Sequence, residues 1–305
     1  MTKPHAAETA IESLRQDLLG TGYLADQSML TVLYLATKLH RPVLLEGEAG
    51  VGKTALAKAL SEARSSPLYR VQCYEGIEQS AVLYEWNYPR QMLEMRRAAL
   101  DPSSGNTIQL DDLYRREFLI ARPLLHALEY EGDEPPVLLI DELDRADAAF
   151  EAFLLEFLGE SQVTIPEFGT IRARALPQII ITSNRTRELH DALKRRCLYH
   201  WLDYPELARE KAILALKVPD LGEKLALQLA QFIAGLRRIE LLKAPGIAEV
   251  IDWAEALLAL SVTELDSKTI TQTLGVVLKH QDDIEQLRSM ELTAMLEQER
   301  VSTHG

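Results

Sequence analysis

At 305 residues, 47% of them hydrophobic, the chain has room for one large α/β domain, a small second one and a sizeable core. A formal net charge of −13 argues against a non-specific grip on nucleic acid, which needs clustered basic surface. Two cysteines make no disulfide framework, the N-terminus lacks an apolar signal core, and no run approaches the ~20 apolar residues of a membrane span. A reducing, cytoplasmic setting is expected, with peripheral docking to a membrane left open.

Residues 1–20 are polar and Ala-rich, with an amphipathic pattern at Ile11, Leu14 and Leu18. Gly20-Thr21-Gly22 breaks that helix, and residues 23–39 read as the next one. Pro42-Val43-Leu44-Leu45 reads as a short buried strand. It runs into Gly47, Glu48, Ala49, Gly50, Val51, Gly52, Lys53 and Thr54, which fit G-x-x-x-x-G-K-[ST] at every fixed position. Residues 55–63 read as the helix that follows. Strand, glycine loop and helix N-terminus together make an anion site. Glycines let the backbone curl so that several N–H groups point at one phosphate. Lys53 adds a point charge for the β- and γ-phosphates, and the Thr54 hydroxyl suits Mg²⁺.

Residues 69–73 read as a second strand, with Cys73 a small buried side chain rather than a nucleophile. Residues 86–89 break the pattern, 91–100 are helical and 101–106 form a loop. Val137-Leu138-Leu139-Ile140 reads as a strand buried on both faces, ending in Asp141-Glu142. In open α/β sheets ligands sit at that edge. Asp141 would hold Mg²⁺, directly or through water, and Glu142 would polarise the attacking water, so the chemistry is phosphoryl transfer to water. Residues 163–175 alternate like a hairpin around Pro166-Glu167-Phe168-Gly169. Ile179-Ile180-Ile181-Thr182 is a third strand leading to Asn184, which either orients the water or caps a turn. The stretch 172–196 is the most basic in the core. Its last part, Lys194-Arg195-Arg196, is either a solvated face or the source of an arginine for a neighbouring subunit. After Tyr204-Pro205 the pattern is helical, with Leu225, Leu229, Phe232, Ile233 and Leu236 on one face. The seven histidines show no metal-ligand spacing.

These blocks in this order resemble the AAA+ ATPases, and within them the MoxR family, closest to its CoxD-type members. The discriminating residues are Gln72-Cys73-Tyr74-Glu75-Gly76 and Tyr84-Glu85-Trp86-Asn87-Tyr88-Pro89-Arg90-Gln91. Asp141-Glu142-Leu143-Asp144-Arg145-Ala146-Asp147 and Arg195-Arg196-Cys197-Leu198-Tyr199-His200 add to them. The resemblance covers about residues 20–260. It implies an AAA+ P-loop NTPase core over residues 1–204, with a parallel five-stranded sheet between helices. That core would carry a helix-2 insert at about 86–112 and a pre-sensor hairpin at about 163–175. A helical lid (205–280) and an acidic helical tail (281–305) would follow. It implies that Tyr23 and Leu24 line the adenine pocket, with ordinary packing the open alternative. Asn184 becomes the first sensor and Arg196, with Arg195 beside it, the arginine finger. A second-sensor arginine is missing, and Lys243 is its substitute. The implied protein is a hexameric ring using ATP and Mg²⁺. It would act with a von Willebrand A-domain adaptor on a metalloenzyme client of the carbon monoxide dehydrogenase type, another metalloenzyme or a carboxylase. Phe168, apolar on a polar hairpin tip, is the expected client contact. A DNA-acting motor is the alternative of a different class, and the acidic charge weighs against it.

Overall fold

The computed structural model describes residues 4–100 and 110–289. They fall into two compact units. Among the described residues, the first holds 4–21, 25–46 and 54–201, and the second holds 22–24, 47–53 and 202–289. Along the chain the last change of unit falls between Trp201 and Leu202. A linear cut cannot express the two short segments, 22–24 and 47–53, that join the second unit.

The first unit opens with helices α1 (Pro4–Gly20) and α2 (Gln27–Leu39). Helix α2 starts four residues later than the apolar pattern suggested. Asp26 is extended and accepts from the Met29 amide at 2.8 Å, which caps the helix there and leaves Tyr23 and Leu24 outside it. Strand β1 (Val43–Glu46) leads into the glycine loop, and α3 (Lys53–Ala63) follows. Strand β2 (Leu68–Gln72), the single turn α4 (Gln79–Val82) and strand β3 (Tyr84–Trp86) come next. Helix α5 (Tyr88–Leu100) begins before Gln91, because Asn87 Oδ1 accepts the Arg90 amide and Pro89 has no N–H to lose in the first turn. Residues 101–109 of the expected insert lie outside the described residues.

The unit continues with β4 (Leu119–Ala121), α6 (Pro123–Glu129), β5 (Val137–Asp141) and α7 (Ala148–Glu160). It closes with β6 (Gln162–Ile165), β7 (Gly169–Arg172), β8 (Gln178–Ser183), α8 (Asp191–Lys194) and β9 (Leu198–Trp201). The main sheet is parallel, in the order β2-β5-β8-β1-β9. Strands β1, β5 and β8 are buried along their whole length, as near-continuous Val/Leu/Ile runs require. The register pairs Gln72 with Asp141 and Glu46 with both Ser183 and Trp201, so these strand ends share one edge. Two small antiparallel ribbons, β3-β4 and β6-β7, stand apart from this sheet.

The second unit carries α9 (Leu207–Lys217), α10 (Glu223–Leu236), α11 (Ile247–Ala259), α12 (Ser267–Val277) and α13 (Gln281–Ser289). Leu225, Leu229, Phe232, Ile233 and Leu236 are all buried in its core beside Trp253. The Trp253 indole N–H reaches Thr273 Oγ1 at 2.8 Å, so a fully buried ring keeps its polar edge satisfied. Residues 290–305 of the expected tail lie outside the described residues.

Candidate nucleotide site

At the shared sheet edge of the first unit, Asp141 ends β5 with 2% of its surface exposed. Its carboxylate accepts from Thr54 Oγ1 at 3.0 and 3.3 Å and from Thr182 Oγ1 at 2.5 Å. Arg70 also donates to it, through Nε at 3.1 Å and Nη2 at 2.6 Å. A buried carboxylate beside a threonine hydroxyl is a hard-oxygen donor pair, and Mg²⁺ fits such a pair.

Glu142 follows in the left-handed region, at φ 54° and ψ 49°. Its amide donates to Thr182 Oγ1 at 2.9 Å. Its carboxylate meets Gln72 Nε2 at 2.9 Å, Arg145 Nε at 3.0 Å and Asn184 Nδ2 at 3.5 Å. The structure therefore brings Thr54, Asp141, Glu142 and Asn184 together. Sequence reasoning missed the residues that hold them, Arg70 and Gln72. The signal was present, since positions 70 and 72 alternate with buried Val71 and so project from one face of β2. Arg70 also donates to Gln72, so these two side chains link both carboxylates.

Asn184 is set from behind by Asp144, which is 2% exposed. Asp144 accepts from the amides of Asn184 (3.1 Å) and Thr186 (2.9 Å) and from the Thr186 hydroxyl (2.7 Å). Burial alone would raise its pKa, but these hydrogen bonds hold the carboxyl below the usual range.

The second unit carries the glycine loop. Lys53 is buried and donates to the carbonyls of Gly47 (2.7 Å) and Glu48 (2.6 Å), so its ammonium is folded over its own loop. Gly47 has to lack a side chain, because a Cβ there would stand 2.2 Å from the Leu202 carbonyl oxygen. Gly50 lies against Gly246 and accepts from the Ile247 amide at 2.8 Å. Glu48, Ala49 and Val51 complete the loop. A Cβ on Gly52 would come within 4.0 Å of the Tyr23 ring, and the Leu24 carbonyl accepts from Arg209 at 2.7 Å.

Lys243 does not join this group. Its side chain is exposed, and its backbone amide donates to Asp283 at 3.3 Å. Phe168 departs from its expected role. It is half-buried and packs against the first unit's core, because its hairpin turns one face inward through Val163 and Ile165. The premise of a free apolar tip is lost, and with it the case for Phe168 as a client contact.

Most of the basic stretch is engaged within its own unit. Arg172 donates to Gln162, Arg174 pairs with Glu131, Arg185 with Glu46 and Glu188, Arg187 with Glu151, and Lys194 with Glu188. Arg195 and Arg196 differ. Both are exposed, and neither guanidinium pairs with an acid among the described residues; Arg196 Nη1 reaches only the Ala192 carbonyl at 3.2 Å. Arg41 fixes their backbone by donating to both carbonyls, at 2.6 and 3.2 Å.

A family model, AAA domain (dynein-related subfamily), matches residues 42–197. An uncharacterised protein of Staphylococcus aureus strain USA300 is 24% identical over 255 residues, 77% of this chain and 85% of that protein. Another from Staphylococcus haemolyticus is 23% identical over 263 residues, covering 82% and 90%. Among solved structures, the Thermotoga maritima RuvB Holliday junction branch migration motor aligns with TM-score 0.45 and 17% identity, over 86% of this chain and 69% of that one. A Cytophaga hutchinsonii protein assigned as an ATPase aligns with TM-score 0.48 and 14% identity, over 96% and 95%. Among the described residues, no helix is long and apolar enough to cross a membrane.

Proposed function

This chain belongs to the dynein-related subfamily of AAA domains and is thereby an AAA+ ATPase, and we propose that it hydrolyses ATP with Mg²⁺ to remodel a metalloenzyme during its maturation. The observation that carries the hydrolytic part is the setting of Glu142. Gln72, Arg145 and Asn184 hold its carboxylate next to Asp141 and Thr54. In this reading Glu142 takes a proton from the water whose oxygen attacks the γ-phosphorus, and ADP leaves. Asn184 orients that water. Asp141 and Thr54 would hold the metal, which when bound neutralises charge on the β- and γ-phosphates. Gly47 to Thr54 cradle the phosphates, with Lys53 swinging from the loop carbonyls to the phosphate chain. Tyr23 and Leu24 flank the base.

A ring, hexameric as AAA+ proteins commonly are, supports the trans step. Among the described residues Arg196 has no acid partner, and it stands on a backbone fixed by Arg41. Its guanidinium would neutralise the neighbour's γ-phosphate in the transition state, with Arg195 as an interface contact.

The client reading rests on the MoxR and CoxD resemblance of residues 72–76 and 84–91. The adaptor would be a von Willebrand A-domain protein, and the client a molybdenum hydroxylase of the carbon monoxide dehydrogenase type or another immature metalloenzyme or carboxylase. ATP turnover measured with cofactor-free hydroxylase plus adaptor, and separately with duplex DNA, tests it. Stimulation by the hydroxylase is expected. Stimulation by DNA alone would transfer the protein to the motor class. Glu142→Gln should keep ATP binding, lose turnover by about 10²-fold or more, and retain the client in pull-downs.

A further inference from the structure

Helix α11 starts on the glycine loop of its own unit. The Ile247 amide donates to the Gly50 carbonyl at 2.8 Å, and Gly246 approaches so closely that a Cβ on it would stand 2.6 Å from Gly50 Cα. Gly50 itself is at φ +80°, so the contact is a glycine-on-glycine seat. The charged side chain held on that seat is Glu249, in the first turn of α11. Its Oε2 lies 3.2 Å from the position a Gly50 Cβ would take and 2.8 Å from that of Gly246. This oxygen is buried and has no hydrogen-bond partner among the described residues. Arg237, which reaches the Pro245 carbonyl next to this seat, is engaged elsewhere. Arg237 forks onto Glu210 at 2.9 and 3.0 Å, donates to the Pro245 carbonyl at 3.0 Å and lies over the Tyr204 ring. A nucleotide loop gathers negative charge through backbone N–H groups and a lysine. A carboxylate packed against the same loop opposes that charge.

We propose that Glu249 is a specificity-determining residue of the loop: its negative charge weakens the hold on the phosphate chain and thereby speeds nucleotide release. The effect should grow with the charge of the ligand. Triphosphate should be disfavoured more than diphosphate, and adenosine left nearly unaffected. The inference rests on the nucleotide reading of the Gly47–Thr54 loop but not on any client or on hydrolysis.

The test is equilibrium binding of fluorescent ADP and of a non-hydrolysable ATP analogue, with adenosine as competitor. It uses the full-length protein and the variants Glu249→Gln, Glu249→Met and Lys53→Ala. Both neutral variants should bind ADP at least about tenfold more tightly, the repulsion of one charge pair about 12 Å apart at an effective dielectric of about 20. The gain should be larger for the ATP analogue and absent for adenosine. Both should also melt no lower than wild type in the nucleotide-free state, because no hydrogen bond of Oε2 is lost. Unchanged or weaker ADP binding in both variants, with wild-type binding intact and lost in Lys53→Ala, overturns this inference alone. Failure of the wild type to bind either nucleotide overturns the loop reading as well. Failure of both neutral variants to fold overturns the proposal, because it would make the carboxylate a structural partner.

Discussion

Arg70 lies on the buried carboxylate of Asp141, with Nη2 2.6 Å and Nε 3.1 Å from Oδ2. The guanidinium is 45% exposed at its side chain, so most of its charge is screened and the pair adds little stability. Its consequence is local. A metal held by Asp141 has to share that carboxylate with a fixed positive group. Arg70→Gln should therefore lower the magnesium concentration for half-maximal ATP turnover by several-fold, with the melting temperature nearly unchanged. A magnesium titration of turnover checks this, and an unchanged midpoint would remove Arg70 from the metal's surroundings.

The finger assignment makes a stoichiometric claim. Arg196→Ala should bind ATP normally and hydrolyse it on the order of 10³-fold more slowly. Lys53→Ala should fail to bind. Mixed together, the two dead proteins should regain part of the activity, because some interfaces then pair an intact loop with an intact arginine. Absence of rescue at every mixing ratio, with subunit exchange demonstrated by mass, argues that Arg196 does not act in trans.

Asp144 ties pH to the first unit's stability. Its folded pKa is depressed, so its contribution is present above the ordinary carboxylate value of about 4 and is lost as pH falls through the lower folded value. Asp144→Asn should melt lower than wild type at pH 7. The gap should close below pH 4 as the wild-type carboxyl protonates. Since the same carboxylate sets the Asn184 backbone, the variant should also lose turnover while keeping nucleotide binding. Parallel melting curves at every pH would sink the assignment.

Both thiols should be silent in the native protein. Burial pushes Cys73 up to about 12, helped by Asp141, Asp144 and Glu142 nearby. Burial also takes Cys197 to about 12, against the opposing charge of Arg41. Neither forms thiolate at pH 8. A thiol reagent should label no cysteine in buffer and two in denaturant. These raised values stabilise the fold fully below the ordinary thiol range, and that contribution is lost as pH climbs through about 12.

The nucleotide loop and the Asp141-Glu142 strand end were legible because their chemistry forces a local pattern. Glycines stand at fixed spacing, and an unbroken apolar strand ends in acids. The residues that orient that pair were harder to see. Arg70 and Gln72 sit on a strand remote in sequence from Asp141, and only the register Gln72↔Asp141 brings them in. The β3-β4 ribbon escaped for a related reason. Its strands have three residues each, too few for a period to show. Helix α2 was read too long because an apolar run carries no mark of the Asp26 cap that cuts it. Phe168 misled because polar neighbours in sequence do not report what lies beneath a hairpin.

Glu142 sits at φ 54°, a left-handed conformation that costs a side-chain-bearing residue on the order of 1–3 kcal/mol and costs glycine almost nothing. The proposed proton acceptor is thus also a place where the fold gives up stability. Glu142→Gly should relax the backbone even as it erases turnover. A search for more heat-resistant versions of the chain that scores folding alone would drift toward glycine here and arrive at a sturdier, inert protein. Any such redesign has to hold position 142 fixed and seek its gains elsewhere.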